Sequence, residues 1–213
     1  MKDKFLKLIK DKKYLLISIV AAFIFVIILI NVLNGKIKNF DVVVYSAISA
    51  LKTDILTIVV KIITMFGDKE ILILITILSL IFIKNKKIGC SIAVNLASVG
   101  LINHILKEII RRERPPLEIR LVEENSFSFP SGHAMASFAF YGLIIYFIWK
   151  YLKNKKIKSI LCITLSFLIF LIGISRIYLG VHYASDVLAG FVLSIAYLGL
   201  FTHIIKTTFK EVS

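Results

Sequence analysis

Two histidines, one aspartate and three fixed cations stand at spacings that suit phosphoryl transfer. Lys107 precedes Arg114-Pro115 by seven positions, Pro130-Ser131-Gly132-His133 forms a small-residue turn, and Ser175-Arg176 leads through His182 to Asp186. A carboxylate bonded to one imidazole nitrogen fixes the tautomer and leaves the other nitrogen free to attack. His182 and Asp186, four residues apart at the start of a helix, would share one face for that purpose. Attack by histidine on phosphorus gives a phosphoramidate, which water then hydrolyses. The plainer reading of the pair is an interfacial histidine and a carboxylate favoured by the helix dipole.

The cations suit the same chemistry. Charge spreads over the phosphoryl oxygens in the transition state, and the planar fork of Arg114 or Arg176 can hold two of them. Lys107 lies two helical turns before Arg114, on the same side if the helix runs on to Pro115, which would stop it. Ser131 and Gly132, ahead of a helix, offer a hydroxyl and close backbone N–H groups to an anion. His133 would act as general acid and then as general base. Ser131 also reads as an ordinary helix cap. Arg111 and Arg112 are expected to be solvated or at lipid headgroups, and His104 and His203 to be packed or interfacial. Glu118, Glu123 and Glu124 lack ligand spacing, so neither a metal nor a cofactor is expected.

These groups need helices to carry them, and composition says where the helices sit. Of the 213 residues 58% are hydrophobic and 19% charged, and the mean hydropathy is +0.89. That balance points to a bundle of membrane helices. Uncharged apolar runs cover 14–35, 88–106, 134–149, 159–175 and 187–205, most of them near the roughly 20 residues that a span needs. The shorter run 71–83, bracketed by Gly67 and the lysines at 84–87, is taken as a further span. The expected fold is all-α and polytopic, a single domain with six transmembrane helices near 14–34, 68–84, 88–107, 133–150, 158–176 and 184–206. Residues 41–66 are apolar at helical spacing but interrupted by Lys52, Asp54 and Lys61, which suits an extra amphipathic helix on the outer face.

The net charge of +14 is a topology signal and gives no reason to expect a nucleic-acid partner. With six spans and both termini cytoplasmic, the inner segments hold sixteen of the 27 cations against Asp3, Asp11 and Glu211. The inner side then carries +13 and the outer side +1, the asymmetry of the positive-inside rule. The first apolar run reads as a retained anchor and not as a cleaved leader. Cys90 and Cys162 have no metal-type spacing and read as inert thiols. In this arrangement the three clusters meet at the outer rim of one bundle. A lipid or anion transporter is the competing class, but transporters place ionisable groups at the midplane, whereas here they gather at one rim.

Together, the Lys107-to-Arg114-Pro115, Pro130-to-His133 and Arg176–His182–Asp186 motifs resemble the signature of the type-2 phosphatidic acid phosphatase family, which shares its site with vanadium haloperoxidases. The resemblance implies that His182 is the nucleophile, Asp186 its orienting carboxylate and His133 the acid/base. It further implies that Lys107, Arg114 and Arg176 hold phosphate oxygens, that Ser131 and Gly132 add hydrogen bonds, and that no metal is needed. The partner so implied is a membrane lipid phosphate at the outer face of the cell membrane. The short form with Ser126-Phe127-Ser128-Phe129 before the Pro130 turn looks like bacterial lipid phosphatases acting on phosphatidylglycerophosphate, undecaprenyl pyrophosphate or both.

Overall fold

A computed structural model describes residues 2–210, with side-chain environments for residues 14–206. Lys2 to Lys13, Lys210 and Glu211, which carry much of the charge expected on the inner side, lie outside the described side chains. Helices α1 (Lys2–Leu33), α2 (Lys38–Ser49), α3 (Asp54–Met65), α4 (Lys69–Phe82), α5 (Lys86–Ile110), α6 (Gly132–Tyr151), α7 (Lys155–Tyr178) and α8 (Ala184–Lys210) follow in order. One 3-10 turn, Leu117–Ile119, lies in the long α5–α6 connection.

The all-helical, multi-span architecture is the one the hydropathy calls for. Residues Tyr14–Leu33 of α1, Ala184–Lys206 of α8, and all of α5, α6 and α7 are long and apolar enough to cross a membrane. Their outward faces are apolar, as lipid requires: Leu16 is 62% exposed and Phe23 66%. Two segments depart from the expectation. Helix α4 has 14 residues, about 21 Å at the helical rise, shorter than the roughly 30 Å of hydrocarbon. The stretch 41–66 is two helices, α2 and α3, bent by 118°. Thr53 makes the break, because its hydroxyl accepts the Leu56 N–H at 3.2 Å and restarts the chain as α3.

Polar caps decide where the other helices begin. Asn85 accepts the Lys87 N–H at 3.2 Å ahead of α5, and Asn154 accepts the Ile157 N–H at 3.1 Å ahead of α7. Helix α6 is central and packs on α5, α7 and α8, while α1 lies along α8 and α4 along α5. Phe140 and Leu143 of α6 and Ile172 of α7 are fully enclosed in the core. Helices α2 and α3 rest on the site end of α7, and α2 also touches α8. That placement brings their polar residues into the site.

Candidate active site

Every residue singled out in the three motifs lies at one end of the bundle, though local geometry differs from the expectation at three places. Helix α5 ends at Ile110, and Arg111 takes a left-handed conformation (φ 49°) with its N–H on the Lys107 carbonyl at 2.9 Å. The chain therefore turns away four residues before Arg114, and Pro115 is not the terminator. Lys107 and Arg114 meet through the loop instead: both donate to the Ser126 hydroxyl, at 3.3 and 3.1 Å. Lys107 also donates to the Phe127 carbonyl.

His182 precedes α8 rather than sitting on it. It lies in the turn after α7, where its N–H and that of Val181 both reach the Arg176 carbonyl. Gly180 makes this turn possible with φ +70°, and a Cβ there would stand 2.3 Å from the Ile119 carbonyl oxygen. The turn thus seats His182 against the α5–α6 connection, and Leu121 N–H bonds Leu179 O at 2.9 Å across the same contact.

The proton on His182 can be placed by its partners. Arg114 Nη1 lies 3.2 Å from Nε2, and a guanidinium can only donate, so Nε2 is the acceptor and Nδ1 carries the hydrogen. Nδ1 faces the Ser128 hydroxyl at 3.4 Å and Asp186 Oδ2 at 3.5 Å. Ser128 is fully buried and donates to Asp186 Oδ2 at 2.5 Å. Asp186 and Ser128 thus both stand on the Nδ1 side of His182. Burial, and then the nearby cations Arg114, Arg176 and Lys107, hold the His182 imidazole well below its ordinary range. Burial also lowers Arg114 from the usual guanidinium value, with Glu124 opposing.

Arg112, expected to be solvated, is the cation that neutralises Asp186. Its Nη1 donates to Asp186 Oδ1 at 2.5 Å and its Nη2 to Asp41 Oδ2 at 2.7 Å, with a side chain only 15% exposed. Asp41 comes from α2 and also accepts the Ser185 N–H and hydroxyl, each at 2.8 Å. It thereby satisfies an otherwise orphaned first-turn donor of α8. A charge inside an otherwise apolar helix was the available signal for Asp41.

Arg176 is buried at the base of the site. It donates from Nη1 to Thr64 of α3 at 2.8 Å and from Nη2 to Glu124, while its Nε is enclosed with no partner. Glu124 bridges to Arg114 as well, at 3.4 Å. Lys107, Arg114 and Arg176 are thus gathered at one place, with Glu124 bonded to both arginines. Nothing in the spacing of Glu124 marked it, because its partners lie 10 and 52 residues away.

Ser131 and Gly132 begin α6. Ser131 is fully buried and its hydroxyl caps the helix at Ala134 N, while its N–H bonds the Asp186 carbonyl at 3.1 Å. Gly132 and His133 line a cleft of about 830 Å³ together with Lys107, Arg114 and His182. The cleft continues between α4 and α5 along Leu72, Ile73, Ile77 and Leu96, so a polar head joins an apolar channel. Exposed His104 lines it as well. Among the described residues no group of three or more His, Cys, Asp or Glu side chains converges as a metal site.

A model of the PAP2 superfamily matches residues 88–210. Phosphatidylglycerophosphatase B of Bacillus subtilis strain 168 is 48% identical over 96 residues, which are 45% of this chain and 47% of that protein. The match thus spans about half the length of that relative. Undecaprenyl-diphosphatase of Sulfolobus acidocaldarius is 26% identical over 188 residues, 85% of this chain and 87% of that one. Among solved structures, the transmembrane PAP2-type phosphatidylglycerolphosphate phosphatase from Bacillus subtilis matches with a TM-score of 0.80 at 31% identity. That match covers 92% of this chain and 97% of the other. Aquifex aeolicus LpxE shares the fold, with a TM-score of 0.57 at 22% identity over 73% of this chain and 92% of its own.

Proposed function

This chain belongs to the PAP2 superfamily, and from that premise we propose that it is a lipid phosphatase that hydrolyses a membrane lipid phosphate or pyrophosphate through a phosphohistidine, without a metal. The observation that carries the reading is the cleft in which Lys107, Arg114, His133 and His182 head an apolar channel between α4 and α5. A phosphorylated lipid has that same polarity pattern. Its phosphate enters the cationic end and its tail follows the membrane-spanning helices.

His182 Nε2 attacks phosphorus. The bond from phosphorus to the leaving oxygen breaks, its electron pair stays on that oxygen, and His133 supplies the proton. Lys107, Arg114 and Arg176 hold the equatorial oxygens as charge develops, a contribution of about 10²–10³ in rate for each well-placed donor. Glu124 gives up its two arginines to the incoming phosphate, and the Gly132 backbone lines the pocket. Water then attacks the phosphohistidine, His133 takes the proton, and Nε2 keeps the electron pair of the broken P–N bond. Asp186 and Ser128 hold the Nδ1 side of His182 throughout, and Ser131 supports the turn as the α6 cap.

Phosphatidylglycerophosphate and undecaprenyl pyrophosphate are the preferred candidates, because the relatives named above carry those substrates in their names. The lysine distribution supports cytoplasmic termini and a site on the extracytoplasmic side. The test is phosphate release in detergent micelles from phosphatidylglycerophosphate, undecaprenyl pyrophosphate, phosphatidate and diacylglycerol pyrophosphate, with chelator present. Release from at least one, abolished by His182→Ala in a folded protein, is expected. A requirement for added divalent metal, or undiminished turnover by the variant, would refute the reading.

A further inference from the structure

Asp68 holds the N-cap position of α4, a place where an aspartate ordinarily caps its own helix. Here the side chain makes no capping bond. Its Oδ1 instead lies 2.6 Å from His133 Nε2, 65 residues along the chain. Forgoing a cap costs about 1 kcal/mol, so the carboxylate is committed elsewhere.

The turn that carries Asp68 is built onto the site. Tyr141 of α6 donates to the Phe66 carbonyl at 2.8 Å, and Arg176 of α7 reaches Thr64 at 2.8 Å. Gly67 lets the imidazole lie against the turn, because a Cβ there would stand 3.0 Å from His133 Cδ2 and 2.7 Å from Ile172 Cγ2. With Nε2 turned to Asp68, Nδ1 is the ring nitrogen left without a partner among the described residues, and His133 lines the same cleft as His182.

We propose that Asp68 is the positioning residue of the general acid: it accepts the Nε2 hydrogen of His133, holds the ring with Nδ1 toward the leaving oxygen, and favours the imidazolium form that gives up the Nδ1 proton. This rests on the phosphatase reading above. The site then holds two carboxylate–imidazole pairs with opposite tasks. Asp186 and Ser128 hold a neutral nucleophile with Nε2 free, and Asp68 holds a proton donor with Nδ1 free. As the P–O bond breaks, the Nδ1 proton passes to the leaving oxygen. In the second step neutral Nδ1 takes a proton from the attacking water, with Asp68 again accepting from Nε2–H.

A residue that works through the general acid matters only where the leaving group needs a proton. The test compares kcat/KM, which reports the step up to leaving-group departure, for a short-chain alkyl phosphate ester and the corresponding 4-nitrophenyl ester. Asp68→Asn should lower the alkyl value by about 10–100-fold, part of the general-acid contribution, and the aryl value by less than about threefold. Asp68→Glu should recover part of the alkyl activity. Asp68→Ser keeps a capping hydroxyl for α4 and should show the same selective loss. Equal losses for both esters, or no loss for either, would overturn the proposal and reduce Asp68 to a structural turn residue. Wild-type protein inert toward both esters and toward the four lipids would instead overturn the phosphatase reading itself. If it cleaves only lipids, phosphatidate (alkoxide leaving group) and diacylglycerol pyrophosphate (phosphate leaving group) take the place of the two esters.

Discussion

Replacing Arg112 with Met exposes how much the site depends on one buried cation. Arg112 spans Asp41, 3% exposed, and Asp186, fully enclosed. Methionine keeps much of the side-chain volume but leaves two carboxylates facing each other with only Ser185, Ser128 and backbone donors. Removing one partner of a buried ion pair costs about 3–5 kcal/mol, and here a single change strips two. Arg112→Lys should recover only part, since one ammonium cannot fork across both carboxylates. The assay is equilibrium unfolding in mixed micelles at pH 8, in a double-mutant cycle with Asp41→Asn. The cycle should give a coupling of about 1–3 kcal/mol, because the second change removes one stranded charge. An Arg112→Met protein within about 1 kcal/mol of wild type at pH 8, or additive effects, would refute the account of Arg112 as the shared counter-ion.

Two further outcomes follow from the geometry. Arg114→Lys should lower kcat/KM by about 10²–10³, because Arg114 reaches Nε2 of His182, the Ser126 hydroxyl and Glu124 from one planar group; a loss under threefold in steady-state phosphate release would contradict its role. Burial and neighbouring cations lower the His182 pKa, so the acid limb of kcat/KM should fall below the ordinary imidazole value of about 6.5. The unfolded chain binds more protons there than the folded one, so stability should drop as pH falls through that same region. An acid limb centred at or above 6.5 would contradict the placement of His182.

The hydropathy of the chain was enough to announce the membrane bundle, and the motif spacings were enough to name eight residues that the fold brings to one end of it. What escaped was set by tertiary pairing. Asp41 stands at the start of an apolar stretch, yet its side chain pairs with residues 71 and 144 positions away. Asp68 stands where local rules assign an aspartate to capping, so its bond to His133, 65 residues away, is invisible in sequence. Glu124 and Ser128 sit in a connection without periodicity, where no pattern says which way a side chain turns. Arg112 departs from expectation because adjacent arginines look alike in sequence, while the left-handed turn at Arg111 sends one outward and the next inward. The same turn ended α5 early, and a helical extrapolation to Pro115 could not anticipate it. Likewise the early restart at Thr53 divided a helix whose hydrophobic spacing alone gave no reason to break.

Rapid quenching of the purified enzyme during turnover of a ³²P-labelled lipid phosphate reports whether phosphate becomes covalently attached to His182. A protein-bound label is expected to form during turnover, to be stable in base and lost in acid, to map to His182, and to be absent from folded His182→Ala. No label in the active wild-type enzyme, or a label that persists in His182→Ala, would contradict the phosphohistidine reading.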